Sequence, residues 1–436
     1  MKPNAKSIHG GFLAPGMDFA FGFTGDGYID RALQNDWLIC NDSVVSPASS
    51  NALEDLQLRI SLEPIRDLKI DLTANRTRNR SREIQYMFEG MQDTRSGNFS
   101  MSIISIGSAF ERPSAGDGYH SGTFERFRRN LDVIRDRVES QFLGAQYPQG
   151  SILAGKTFDP ANGTISKHSP DVMIPAFLAA YTGKSARNSA LDFFPSLFSM
   201  MPNWRITYTG LTKIAWFKKN FRSVNLNHAY RSTYSVGSYN TFQSFMSYMG
   251  DIGFVEDVQS GNPIPSSRFD ISMVSINEQF SPLIGMDATL KNGLTAKVEY
   301  KTSRILNLSM SACQLVETAS RDFVIGLGYK IVNFNLFSGR NVKDSKNRVS
   351  HDLALRADIS FRNQSALCRD IQQGFAQATN GNKALKISCS ADYTLSRLLT
   401  LRLYYDRQQN TPLVSSSSYP VVSADFGFSM KFSLTR

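Results

Sequence analysis

The segment IGMDATLKNGLTAKVEY, residues 284–300, decides the fold class. Ile284, Met286, Ala288 and Leu290 alternate with small or polar residues as far as Lys291-Asn292-Gly293. The alternation then resumes, with Leu294, Ala296, Val298 and Tyr300 on one side and Thr295, Lys297, Glu299 and Lys301 on the other. A period of two marks a strand with two unlike faces, and Asn-Gly between two such runs marks a tight hairpin turn.

The same pattern recurs along the chain. Leu56 to Glu63 alternates strictly, and Leu68, Ile70, Leu72 and Ala74 follow after a turn at Pro64 to Arg66. Further apolar rows are Leu306, Leu308, Met310; Phe323, Ile325, Leu327, Tyr329; and Leu353, Leu355, Ala357, Ile359, Phe361. Then come Leu385, Ile387, Cys389, Ala391, Tyr393; Leu399, Leu401, Leu403, Tyr405; and Phe426, Phe428, Met430, Phe432, Leu434. Weaker strands are expected near Phe99–Ser108, Trp204–Thr209, Val224–Tyr234 and Phe269–Phe280, with bulges where the register slips.

One region interrupts the series. Phe124, Phe127, Leu131, Ile134 and Val138 recur at three- and four-residue steps, the spacing of an amphipathic helix. The apolar segments IPAFLAAY and FFPSLF come after it and must pack on something. The domain organisation read from these patterns is an irregular, partly stranded segment over 1–52 and barrel strands over 53–110. A partly helical insertion follows over 111–203, and the C-terminal strands cover 204–436.

The octet GSILAGKT, Gly150–Thr157, matches a phosphate-binding loop letter for letter. Such a loop must sit between an apolar strand and a helix, whereas here the flanks are the polar GAQYPQ and the turn-forming FDPANGT. No nucleotide site is read there. The five histidines lack ligand spacing and the four cysteines lack C-x-x-C spacing, so neither a metal nor a cofactor is expected. The cysteines are expected to be mostly free thiols, with Cys313–Cys368 the one pairing considered. No acid–base constellation stands out, and no enzyme activity is read. Lys plus Arg number 48 against 38 Asp plus Glu, an excess suited to anionic partners. No apolar run reaches the length of a membrane-crossing helix, and the first residues, MKPNAKSIHGGF, are not a signal peptide.

A two-faced antiparallel sheet can be a soluble sandwich or a membrane barrel. The apolar rows here are long and free of charge, and Tyr300, Tyr329, Tyr393 and Tyr405 close theirs as interface aromatics do. The expected fold is therefore an all-β, antiparallel transmembrane barrel segment of about 14 strands, with the insertion described above. Leu68, Ile70, Leu72, Leu294, Val298, Phe323, Ile325, Leu327, Leu353, Leu355, Ile359, Leu385, Ile387, Leu399, Leu401, Leu403, Phe426, Phe428, Met430 and Phe432 would face lipid. Lys297, Glu299, Lys386, Ser388, Arg402 and Lys431 would face a wet lumen. In RTRNRSR the apolar side of one strand continues as Arg76, Arg78, Arg80 and Arg82, expected to contact lipid phosphates. No aromatics are interleaved there, so nucleic acid is not expected. A self-contained porin and a soluble β-rich surface protein remain the alternative classes.

Several long stretches carry a resemblance. They are PNWRITYTGLTKIAWFKKNFRSVNLNHAYRSTYSVGSY, ISMVSINEQFSPLIGMDATLKNGLTAKVEY, FVIGLGYK, DLALRADISFR and the tail from SADYTLSRLLTLRLYYDR onward. The chain resembles the C-terminal portion of the SprA/Sov family, the outer-membrane translocons of the Bacteroidetes type IX secretion system. That resemblance implies a wide barrel in the outer membrane through which folded proteins leave the cell. It also implies a PorV-like shuttle barrel and a periplasmic plug as partners, secreted cargo proteins, and a role in gliding motility. Family members are several times longer, so this chain would be their final portion.

Overall fold

The computed structural model describes residues 19–22, 27–35, 37–38, 46–87, 90–332, 334, 352–395, 398–414 and 419–432. Helix α1 (Gly27–Gln34) precedes β1 (Ala48–Ile65), β2 (Leu68–Met87) and β3 (Gly90–Ser102). The insertion carries α2 (Gly122–Ser140) and α3 (Pro170–Tyr181). Strand β4 (Asn203–Tyr208), the short helix α4 (Ala215–Asn220) and β5 (Phe221–Thr241) follow. Next come β6 (Met246–Met249), β7 (Ile252–Glu256), β8 (Pro263–Ser267) and β9 (Phe269–Ile271). The chain continues through β10 (Met273–Leu290), β11 (Leu294–Ser309), β12 (Gln314–Ile331) and β13 (Leu353–Asp370). It ends with β14 (Ala376–Thr394), β15 (Leu399–Pro412) and β16 (Val421–Phe432).

Thirteen strands form one antiparallel sheet in the order β1-β2-β3-β5-β10-β11-β12-β13-β14-β15-β16, with β4 and β9 beside that path. The slot between β2 and β5 is shared: β3 fills one half of its length and β4 the other. The insertion leaves the sheet at the end of β3 and returns at the start of β4, in the same slot. At the opening hairpin, Gly293 adopts φ +89, the left-handed conformation that the Asn-Gly turn requires.

The architecture is all-β and antiparallel with a partly helical insertion, as the alternation predicts. Strand β1 starts at Ala48, inside the segment expected to be irregular and partly stranded. Two details differ. Strands β6, β7 and β8 form a separate small sheet that the patterning did not reveal. The strand expected over Phe99–Ser108 stops at Ser102. Ser105 explains the stop: its backbone N–H donates to the Tyr230 hydroxyl (2.9 Å) and its own hydroxyl to Glu278 (2.7 Å), so the chain is drawn off the ladder.

Helix α2 begins where Ser121 caps the Phe124 N–H (3.1 Å), and it buries the five apolar residues of its stripe. IPAFLAAY lies within α3, which is apolar on all sides and correspondingly enclosed. Both helices pack on the sheet through Phe99, Met101, Tyr234, Val236, Ile276, Leu306 and Leu308. GSILAGKT forms a loop closed by a bridge between Gln146 and Thr157, with no strand feeding it. Its Lys156 carbonyl accepts from Tyr147 (2.9 Å) and its Gly155 N–H donates to the Tyr147 carbonyl (3.2 Å), so these backbone groups serve the loop itself. Cys313, Cys368 and Cys389 are free thiols; Cys40 lies outside the described residues.

Candidate functional site

The long strands present two faces of opposite character. Register places Met286, Val298, Ile325, Ile359 and Ile387 in one cross-strand row. The neighbouring row on the same face runs Ile284, Tyr300, Phe323, Phe361 and Leu385. On this face Phe323, Leu327, Leu355, Ile359, Leu403, Phe426, Phe428, Met430 and Phe432 are exposed. Leu68, Ile70, Leu72, Leu294, Val298, Ile325, Leu353, Leu385, Ile387, Leu399 and Leu401 are half-buried. Among the described residues, no second protein layer covers Phe428, Leu355 or Ile325, as a sandwich core would require.

The border of this apolar belt is oblique. Passing from strand to strand, the first charged residues on the face are Glu54, Arg76, Glu278, Arg304, Arg321, Lys383 and Arg407, on β1, β2, β10, β11, β12, β14 and β15. Traced through cross-strand partners, the border slides about ten residues along the strands over about nine strand-to-strand steps. At about 3.3 Å per residue and about 4.8 Å between strands, that is a slope of about 37°. The opposite border descends in parallel through Leu62, Tyr208, Leu294, Leu353 and Leu399. The belt spans ten residue steps on β11, from Leu294 to Arg304, and at its narrowest eight, from Glu54 to Leu62 on β1 and from Leu399 to Arg407 on β15. Corrected for the slope, the narrowest part is about 21 Å across.

The reverse face is polar and carries charges of both signs. One row reads Asp287, Lys297, Gly326, Asp358, Ser388, Asp406 and Asp425. Glu299 is held by Lys297 (3.0 Å) and Lys301 (2.9 Å), Asp322 by Arg362 (2.8 Å) and Asp392 by Arg402 (3.6 Å). Lys297, Lys386, Arg402 and Lys431 are exposed, and Glu299 and Ser388 are half-buried. The row from Asp287 to Asp425 is chiefly acidic, and the ion pairs beside it bring basic groups to the same face, so both signs of charge are present there.

The arginine row is placed differently from expectation. Arg82 is buried, with Asp30 of α1 accepting from Nη1 (2.9 Å) and Nη2 (2.8 Å) and Asp93 of β3 from Nε (2.9 Å) and Nη2 (2.9 Å). Arg76 and Arg80 both pair with Glu54. Arg76 also lies over Phe99 (5.2 Å) and Arg78 over Phe194 (4.8 Å), both rings of the insertion interface. The row is thus spent on protein contacts with α1, β1, β3 and, at Arg78, the insertion. Tyr393 is a second correction: it is buried, with the Phe334 ring against it at 6.2 Å. Tyr329 and Tyr405 are exposed and Tyr300 is half-buried.

Three arginines that sequence reasoning passed over hold the insertion in place. Arg304 donates to the Ser108 carbonyl (2.6 Å), Arg321 to that of Glu111 (3.3 Å) and Arg369 to that of Tyr119 (2.6 Å). Arg304 is paired with Glu278 (2.6 Å) and Arg369 with Glu317 (3.0 Å). In return, Arg128 of α2 donates to the Ile371 carbonyl (3.1 Å). The signal was present in the sequence: each sheet arginine is a charge in the apolar register of its strand. The Glu111 carboxylate accepts from Ser121 and Thr123 at the start of α2. Burial acts to raise its pKa, but these hydrogen bonds outweigh burial and hold it below the usual glutamate range.

No family model matches this chain, and no curated protein matches it. Among solved structures it is similar to OmpT, an outer membrane protein of Vibrio cholerae in its trimer form, at 10% identity and a TM-score of 0.22. That likeness covers 88% of this chain and 99% of the other, and is too slight to carry an argument.

Proposed function

We propose that this chain is a stretch of outer-membrane β-barrel wall and that the barrel is a protein-conducting channel. One observation carries the membrane part: an apolar belt, open on β1 and from β11 to β16, crosses the strands at about 37°. Strands of outer-membrane barrels tilt by about 35–45° around an apolar band about 25 Å tall. A soluble sheet has no reason to hold its apolar border at a fixed angle to its strands. In lipid, the antiparallel ladder satisfies the backbone groups that water would otherwise serve.

The conducting part rests on the reverse face and on the edges. A polar wall carrying both signs of charge suits an aqueous lumen. Among the described residues, β1 and β16 stand at the two ends of the sheet and do not pair with each other. Unpaired edges inside a membrane are unfavourable, so further strands complete the ring. This fits the resemblance to type IX translocons, with a shuttle barrel, a plug and folded cargo as partners.

The turns joining β1–β2, β10–β11 and β14–β15 lie at the end opposite the insertion. Short turns also join β11–β12 and β13–β14 at the insertion's own end, so both ends of the sheet carry short turns.

Planar-bilayer recording tests the reading. This chain alone is expected to give no stable large pore, whereas the completed ring gives one. A steady large conductance from this chain by itself would overturn the proposal in favour of a self-closed porin.

A further inference from the structure

The apolar belt is not uniformly filled. Across β13 and β14 it carries small residues, Ala357, Cys389 and Ala391, between the larger Leu355 and Leu327 on one side and Leu403 and Tyr405 on the other. The result is a groove of about 340 Å³ in the apolar face, with Tyr405 and Phe426 at its edge. Cys389 is exposed on its floor.

Two cations stand just past the belt border above this groove. Arg407 is two residues beyond Tyr405 on the same face of β15, and Lys383 is two residues beyond Leu385 on β14. Both are exposed. From the strand spacings their Cα atoms are about 14 Å apart, within reach of two extended side chains converging on one group. No aspartate or glutamate lies on that face of β13, β14, β15 or β16 among the described residues. The arginine row of β2 has its own carboxylates; these two cations face outward without any.

We propose that β13–β15 bind one anionic phosphate-bearing lipid, with its headgroup on Lys383 and Arg407 and an acyl chain in the Ala357–Cys389–Ala391 groove. The inference rests on the membrane reading above, since the groove continues the surface that faces lipid there. Charge complementarity selects an anionic headgroup over a zwitterionic one. The groove selects a lipid over a free phosphate, because a phosphate alone leaves the apolar slot open.

The test uses the completed ring of strands reconstituted in phosphatidylcholine bilayers containing a minor fraction of phosphatidylglycerol. Flotation with the bilayer is scored first, and native mass spectrometry then counts lipids retained after detergent release. One phosphatidylglycerol is expected to be retained. The Lys383→Gln/Arg407→Gln double variant should float normally and lose that adduct by about thirtyfold, two headgroup cations being removed. Cys389→Phe, which fills the groove and leaves both cations, should also float and lose it. Phosphatidylcholine retained as strongly as phosphatidylglycerol, or an adduct indifferent to both variants, overturns this site while leaving the membrane reading intact. Failure of the unmodified protein to float overturns both together.

Discussion

Glu278 on β10 and Arg304 on β11 occupy one register position and meet at 2.6 Å, both almost fully buried where the apolar belt passes beneath the insertion. Glu278 also accepts from Ser105 and Tyr230, and Arg304 also donates to Ser108. Replacing only one partner leaves a buried charge uncompensated. Glu278→Leu and Arg304→Leu should therefore each cost about 3–5 kcal/mol in denaturant unfolding, and the double variant should recover most of that loss. Additive losses in the double variant would show that the two residues act separately.

The Arg82 cluster predicts loss of stability in acid. Arg82 hydrogen bonds hold the Asp30 carboxyl below its usual range. Burial raises the Asp93 pKa, yet the bonds from Arg82 and the nearby Arg95 outweigh burial and leave it low as well. Groups depressed in this way stabilise the fold above their unfolded pKa, about 4, and lose that contribution as pH falls through the folded values. Melting temperature should drop below about pH 4, and Asp30→Asn/Asp93→Asn should flatten that drop while lowering stability at neutral pH. A steep acid transition surviving in the variant would assign it elsewhere.

Asp171 behaves in the opposite way. It is buried at the start of α3, which raises its pKa despite bonds from the Ser267 N–H (3.1 Å) and the Ser266 hydroxyl (3.4 Å). Its contribution is present at low pH and is lost as pH rises through the raised value, so at neutral pH the ionised form costs stability. Asp171→Asn keeps an acceptor for both donors and removes the charge. Its melting temperature should exceed that of the unmodified protein at pH 7 and match it near pH 3.

The belt makes a face-specific prediction. Ile359 and Asp358 are adjacent on β13 but point to opposite faces. Ile359→Lys should cost about 2–4 kcal/mol in bilayer insertion and Asp358→Lys far less, measured by heat-modifiable gel mobility after folding into vesicles. Equal tolerance at the two positions would refute a lipid-facing belt.

Period-two alternation was enough to read the strands, the hairpin at Asn292-Gly293 and the separation of Ile359 from Asp358, because side-chain direction in a strand is local. The α2 stripe was legible for the same reason, each contact being set by helical spacing. What decided the rest was pairing between distant segments. Only register across ten strands shows that Glu54 and Arg407 bound one oblique border, since the slope exists between strands and not within any of them. Only the tertiary fold, bringing α1, β1, β3 and the insertion together, turns Arg76 to Arg82 from a lipid-facing row into paired and stacked contacts. A strand's sequence states which residues share a face; what covers that face is set by where the other segments come to rest.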